Sequence, residues 1–290
     1  MQENRKAIVL DMDKTLINGV NKTDNEQIMI LRPNLDKLII KLKEAKEKGI
    51  DIILCTTARG PWINKFFSLK PEFKTLFDKM FTRDNEEEWM NYSEEKYPLE
   101  YKARSENINL EYSKPVTTFG YNSVLYIDDS KMEGVRLEIL FWLTENKLER
   151  DVTFFSAFGY NGGKNYEKIL NYQRIASQRV DVTEKLEEYL DIEKKEPGCK
   201  MMCSVIDQFI NKKFKVGLTL VDKDYLEDYK IFSDKKLLLQ EELDKLIREY
   251  SKEEVKQMQN VVANHIFSKS KKEISREANK YSEILGIIGD

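Results

Sequence analysis

The sequence predicts an α/β fold, with a central parallel sheet in its first part and an all-α region after it. Three observations carry that prediction. Short apolar runs recur through about the first 160 residues, segments of helical periodicity fall between them, and beyond "NGGK" at 161–164 helical periodicity takes over. A chain of 290 residues that is 41% hydrophobic and 34% charged can build one large domain or two small ones. The change of pattern favours two, at residues 1–163 and 164–290.

Taken in order, the first element is "AIVLDMDKTLI" at 7–17, an apolar strand that runs straight into Asp11 and Asp13. Next, "RPNLDKLIIKLKEAKEKG" puts Leu35, Leu38, Ile39, Leu42 and Ala45 on one helical face, with Pro33 at its start and Gly49 at its exit. "IDIILCTT", "SVLYIDD" and "DVTFFSAFGY" are continuous apolar runs that read as parallel strands buried on both faces. Their polar residues fall at the C-terminal ends, where an open parallel sheet places its ligand site. Between Asp13 and Thr56 lie 42 residues, read as loop and the amphipathic helix, which is too little for a large inserted cap. Between Thr57 and Lys114 lie 56, with Trp89, Tyr92, Tyr97, Tyr101 and Tyr112 among many charges; this stretch reads as a segment packed by its own aromatics. From residue 165 onward the pattern is amphipathic helix with balanced charge, and "SKSKK" at 268–272 is a local basic cluster compatible with peripheral contact to anionic lipid.

Composition excludes some classes of function. With 48 basic and 51 acidic side chains the formal net charge is -3, so the chain as a whole has no electrostatic footprint for nucleic acid or membrane. Cys55, Cys199 and Cys203 cannot form a disulfide framework. The opening apolar run is too short for a signal peptide, and no transmembrane segment is expected. A reducing cytoplasm is the expected setting. The single histidine, His265, lies far from the strands and leaves histidine-based catalysis without support there. With Cys199 and Cys203 it lacks the spacing and fourth ligand of a zinc site, and Cys55 reads as a small core residue.

Two carboxylates spaced by one residue at the mouth of an apolar sheet repel each other unless a cation compensates. Asp128 and Asp129 end another strand, and if the strands are neighbours four carboxylates converge on one spot suited to a hard ion such as Mg²⁺. Thr56 or Thr57 offers a hydroxyl at the end of "IILCTT", and Lys114 offers a fixed positive charge. Together they make an anion site with a nucleophile inside it.

"DMDKT", the strand ending in Thr56, Lys114 and "YIDD", in that order, resemble the haloacid dehalogenase superfamily over residues 6 to about 160. The likeness is to its DxDxT phosphatases, of the small C-terminal-domain phosphatase and NLI-interacting-factor type, with magnesium-dependent phosphatase 1 as another relative. The resemblance implies a Rossmann-like core and a Mg²⁺-dependent phosphomonoester hydrolase. In it Asp11 is the nucleophile, Asp13 the general acid and base, Thr56 a donor to the phosphoryl oxygens and Lys114 their counter-charge. Thr15 and Thr57 are implied as further substrate contacts. "FTRDN" at 81–85 is similar to a family segment in which an arginine, here Arg83, shapes the substrate entrance. Asp11, the backbone carbonyl of Asp13, and Asp129 ahead of Asp128 are implied as metal ligands.

A site without a full cap suits a phosphorylated protein side chain or a polymer end. Phosphoprotein is the expected substrate, and a polynucleotide or nucleotide phosphatase is the alternative enzyme; the acidic "NEEEW" disfavours nucleic acid without closing that reading. A metal-holding binding protein, with the helical region as its working surface, is the alternative of another class. Because every motif precedes Gly163, catalysis is expected to be separable from the helices.

Overall fold

The computed structural model describes residues 5–23, 26–107, 114, 120–144, 151–161, 166–177, 179–211 and 223–268. Its centre is a sheet of five parallel strands in the order β5-β4-β1-β6-β7. These are β1 (Lys6–Leu10), β4 (Ile50–Cys55), β5 (Lys79–Phe81), β6 (Ser123–Asp128) and β7 (Asp151–Ser156). β1 lies in the middle, paired with β4 on one side and β6 on the other. Ala7, Ile8, Val9 and Leu10 are all fully buried, as an apolar run covered on both faces must be.

The remaining elements of this part are helical, apart from one hairpin. β2 (Ile17–Thr23) and β3 (Glu26–Leu31) form an antiparallel pair directly after β1. α1 (Leu35–Glu47) then buries Leu35, Leu38, Ile39, Leu42 and Ala45, the face its spacing predicts, and Gly49 takes the left-handed exit at φ 74°. α2 (Gly60–Leu69) and α3 (Glu72–Leu76) connect β4 to β5, and α4 (Glu86–Lys96) and α5 (Pro98–Ser105) follow β5. The aromatic-rich stretch is thus helical, and Tyr92 and Tyr97 meet edge to face with ring centroids 6.1 Å apart. Tyr112 lies outside the described residues. α6 (Lys131–Leu143) joins β6 to β7.

Beyond β7 the described elements are all helical: α7 (Tyr166–Ala176), α8 (Val180–Glu193), α9 (Gly198–Asn211) and α10 (Lys223–Ser268). An α/β core with a helical C-terminal region is the expected fold class. The two compact units are not divided at a single point in the chain. One compact unit comprises Met1–Ile169 and Leu190–Lys236; the other comprises Leu170–Tyr189 and Leu237–Asp290. The physical reason lies in α9, whose Met202, Val205, Ile206 and Phe209 share one apolar core with Leu38 and Leu42 of α1. Helical periodicity shows that a helix has an apolar face, not which core covers it.

The second unit has polar ties of its own. Tyr172 donates to Asp244 at 2.5 Å, Lys185 pairs with Glu242 at 2.9 Å, and Arg179 pairs with Glu253 at 3.1 Å. Most of "SKSKK" lies outside the described residues. No helix among the described residues is long and apolar enough to cross a membrane.

Candidate active site

Strand register brings the acidic residues together. Leu10 of β1 is level with Leu54 on one side and with Ile127 on the other, and the Asp11 N–H continues the ladder to the Ile127 carbonyl at 2.9 Å. The next residues of the two neighbouring strands are Asp11 and Asp128, so their carboxylates leave the sheet side by side. Both are buried. Carboxylate oxygens of Asp11, Asp128 and the half-buried Asp129 lie within 4.8 Å of one another.

Lys114 sits between two of them, its Nζ 2.5 Å from Oδ1 of Asp11 and 2.7 Å from Oδ2 of Asp128. Its backbone is held at both ends: the N–H donates to Glu133 Oε2 at 3.1 Å, and the carbonyl accepts from Arg104 Nη2 at 3.4 Å. Burial disfavours the Lys114 charge, but the two facing carboxylates outweigh it and raise the pKa above the ordinary lysine value. Burial pushes the Asp11 carboxyl up to about 7 against the pull of Lys114, with the charges of Asp128 and Asp13 adding to the rise. Asp129 is also raised, by burial and then by Asp128. Three carboxylates facing one ammonium leave excess negative charge, which a hard divalent ion would offset.

The two residues of the terminal pair differ in what they already hold. Asp128 accepts from Lys114, from the Tyr126 hydroxyl at 2.5 Å and from the Ser130 N–H at 2.8 Å. The Asp129 carboxylate carries none of these bonds. Gly159 leaves it room, since a Cβ there would stand 3.3 Å from Asp129 Oδ2.

Asp13 follows in a tight turn in which the Leu16 and Ile17 N–H groups donate to the Met12 carbonyl and Lys14 is left-handed at φ 58°. Its carboxylate lies outside the acidic cluster and accepts from the Trp62 indole N–H at 3.0 Å. Gly19 of β2 permits this, because a Cβ there would lie 3.2 Å from the Trp62 ring. Trp62 is a site residue with no signal in the sequence beyond its place on an amphipathic helix.

Thr56, one residue past β4, is buried and accepts from the Ala58 N–H at 3.1 Å, which leaves its own hydrogen available to a ligand. Thr57 is exposed. Thr15 is expected as a substrate contact. It is fully buried, and its Oγ1 accepts from the Asp129 N–H at 3.1 Å, a bond that braces the metal-ligand candidate. Arg83 is exposed after β5, two strands from β1, and its N–H donates to the Ala58 carbonyl at 3.3 Å. Cys55 is buried as expected, and burial raises its thiol pKa far above the ordinary value.

No protein-family profile matches the chain, and no curated protein does. Among the solved structures similar to it in part are two. One is a protein named as a 3-deoxy-D-manno-octulosonate 8-phosphate phosphatase from Vibrio cholerae, 12% identical, covering 55% of this chain and 69% of its own, with a TM-score of 0.30. The other is the core domain of a protein named as a phosphoglycolate phosphatase from Streptococcus pneumoniae TIGR4, 16% identical, covering 59% of this chain and 97% of its own, with a TM-score of 0.27. Likeness at this level leaves the fold to be argued from the strand order and the chemistry from the site itself.

Proposed function

We propose that the chain is a Mg²⁺-dependent phosphomonoester hydrolase of the haloacid dehalogenase type, acting through an aspartyl-phosphate on Asp11. The observation that carries this reading is the buried Asp11–Lys114–Asp128 constellation with Asp129 alongside. The cluster offers carboxylate oxygens and neither histidine nor cysteine, which fits Mg²⁺ better than zinc. Asp11 and Asp129 would hold the ion, with Asp128 engaged by Lys114, Tyr126 and Ser130. The ion would supply positive charge to the phosphoryl oxygens and favour the ionised form of Asp11.

In the first step an Asp11 carboxylate oxygen attacks phosphorus, the bond to the leaving oxygen breaks with its electron pair, and Asp13 supplies the proton that the leaving oxygen needs. In the second, water attacks the same phosphorus, Asp13 takes its proton, and the Asp11–phosphorus bond breaks to return the carboxylate. Lys114 faces the charge on Asp11 and the phosphoryl group in both steps, and the Thr56 hydroxyl donates to a nonbridging oxygen. The substrate proposed is a phosphoprotein, at phosphotyrosine or phosphoserine/threonine. Only the β2–β3 hairpin and α1 stand between β1 and β4 among the described residues, so no domain inserted between these two strands restricts access to small molecules.

The test is a panel of phosphotyrosine and phosphoserine peptides, a nucleotide and a 3'-phosphorylated oligonucleotide, each with Mg²⁺ and with chelator. Turnover of a peptide that chelator stops and Mg²⁺ restores is the expected result. Turnover surviving thorough chelation, or none on any substrate, would overturn the reading. Preference for the nucleotide or oligonucleotide would overturn the substrate class alone.

A further inference from the structure

Arg32, the residue after β3, is only 1% exposed although it carries a full charge. A guanidinium that far from water needs all its donors engaged in a fixed fork. Its Nε donates to Glu196 Oε2 at 3.1 Å and its Nη2 to Glu196 Oε1 at 2.9 Å, a two-point pairing with the segment between α8 and α9. Nη1 donates to the Thr15 carbonyl at 2.6 Å, and Nη2 also donates to the Phe158 carbonyl.

Those two carbonyls belong to the loops that flank Asp129. Thr15 holds the Asp129 N–H through its hydroxyl, and Phe158 precedes Gly159, whose missing side chain makes room for the Asp129 carboxylate. The same loops are braced again around Arg32: the Tyr160 N–H donates to the Lys14 carbonyl at 2.6 Å, and the Phe158 ring stacks on Tyr229 of α10 at 4.1 Å. Gly198 completes the fit, since a Cβ there would lie 2.4 Å from the Arg32 guanidinium.

We propose that the buried Arg32–Glu196 pair is a positioning clamp for the acidic site, holding the Thr15 and Phe158 loops at the spacing that presents Asp129. Apolar residues could fill the same volume, but they could not hold two backbone carbonyls to one centre. Glu196 orients Arg32, Arg32 fixes the loops, and the loops fix the ligand, so a segment outside every catalytic motif controls the metal side of the site. The consequence for metal binding rests on the proposed function; the consequence for the loops does not.

The experiment uses the full chain with Glu196→Gln, which keeps the shape and removes the charge, and Gly198→Ala, which keeps both charges and displaces the guanidinium. Asp207→Asn serves as control, because it alters α9 only at its surface pair with Lys41, 2.8 Å long. Amide hydrogen exchange is measured without added metal, and Mg²⁺ binding by calorimetry. Both clamp variants should exchange residues 12–17 and 157–160 about tenfold faster while 199–211 stays unchanged, and Mg²⁺ affinity should fall about 10- to 100-fold, the usual cost of losing an outer-shell partner. The control should change neither. Unchanged exchange in the two loops, or equal acceleration through α9, would overturn the clamp and leave a stabilising pair. If the unaltered chain bound no Mg²⁺, the proposed function would fail, and loop exchange alone would still decide the clamp.

Discussion

The indole N–H of Trp62 donates to Oδ1 of Asp13 at 3.0 Å, holding the second aspartate of "DMD" apart from the cluster formed by the first. Two carboxylates two residues apart therefore have different surroundings. Asp11 is buried against Lys114, and Asp13 is half-buried against a neutral donor. The difference separates their positions: Asp11 stands among the charged groups that would face a phosphoryl group, and Asp13 is held outside them by the indole.

Trp62→Phe keeps the ring and removes the donor. If the bond orients Asp13 for proton transfer, kcat on an alkyl phosphate should fall about 10- to 150-fold, the equivalent of the roughly 1.5–3 kcal/mol typical of a hydrogen bond to a charged group. On an aryl phosphate, whose leaving oxygen needs little protonation, the fall should be under about threefold. Equal losses on both substrates would show that Trp62 acts on binding or folding and not on the acid.

Asp129→Ala and Asp128→Ala should fail in different ways. Asp129 is the carboxylate without the hydrogen bonds that occupy its neighbour, so its loss should raise the Mg²⁺ concentration for half-maximal turnover with little change in Tm. Loss of Asp128 strips Lys114, Tyr126 and Ser130 of a shared acceptor, and breaking such a buried pair costs about 3–5 kcal/mol. Thermal unfolding and Mg²⁺ titration on both variants check this, and a reversal of the two patterns would exchange the roles.

Stability should decline on the alkaline side. Cys55 and Cys199, with an ordinary value of 9.0, and Tyr160, with 10.0, are all raised in the fold, chiefly by burial. Each keeps its proton in the folded state after the unfolded chain has released it. Above about pH 9 the folded state thus binds more protons than the unfolded one, and unfolding free energy falls as pH rises. Below that range both states are protonated and these groups contribute no slope. Unfolding midpoints in denaturant at pH 8 and pH 10.5 should show the drop, and an unchanged midpoint would mean that the thiols and phenol are accessible to solvent.

What the sequence made legible follows from which interactions are local. β1, β4, β6, β7 and α1 were readable because continuous apolar runs and a single apolar helical face need no partner to be recognised. The acidic site was readable because strand register carries Asp11 and Asp128 to the same edge. The β2–β3 hairpin reads as loop from sequence alone: "INGVNKT" contains glycine and two asparagines, and its pairing with "EQIMIL" is a tertiary fact. β5 is three residues long, too short to show a period. Trp62, Arg32 and Glu196 could not be found, because a donor 49 residues from its acceptor and an ion pair spanning 164 residues leave no spacing to read.

The fragment 1–163, which the motif order alone expects to be active, should instead fail to fold. Truncation there removes Glu196 and leaves the Arg32 charge inside the core with only two carbonyls, a loss on the order of 3–5 kcal/mol for a broken buried pair. It also uncovers the face of α1 that α9 shares, where Met202, Val205, Ile206 and Phe209 are buried with Leu38 and Leu42. Each such side chain contributes about 1.5–3 kcal/mol on burial, so the two losses together approach the whole stability of an ordinary domain, about 5–15 kcal/mol. No end-point before α9 repairs this, because Leu190–Lys236 rejoins the first unit only after the chain has passed through Leu170–Tyr189 of the second. Circular dichroism and turnover of an aryl phosphate by 1–163 and by the full chain decide the matter. A soluble, cooperatively melting fragment with full turnover would show that α9 and Glu196 are dispensable, and would remove the clamp along with the packing argument.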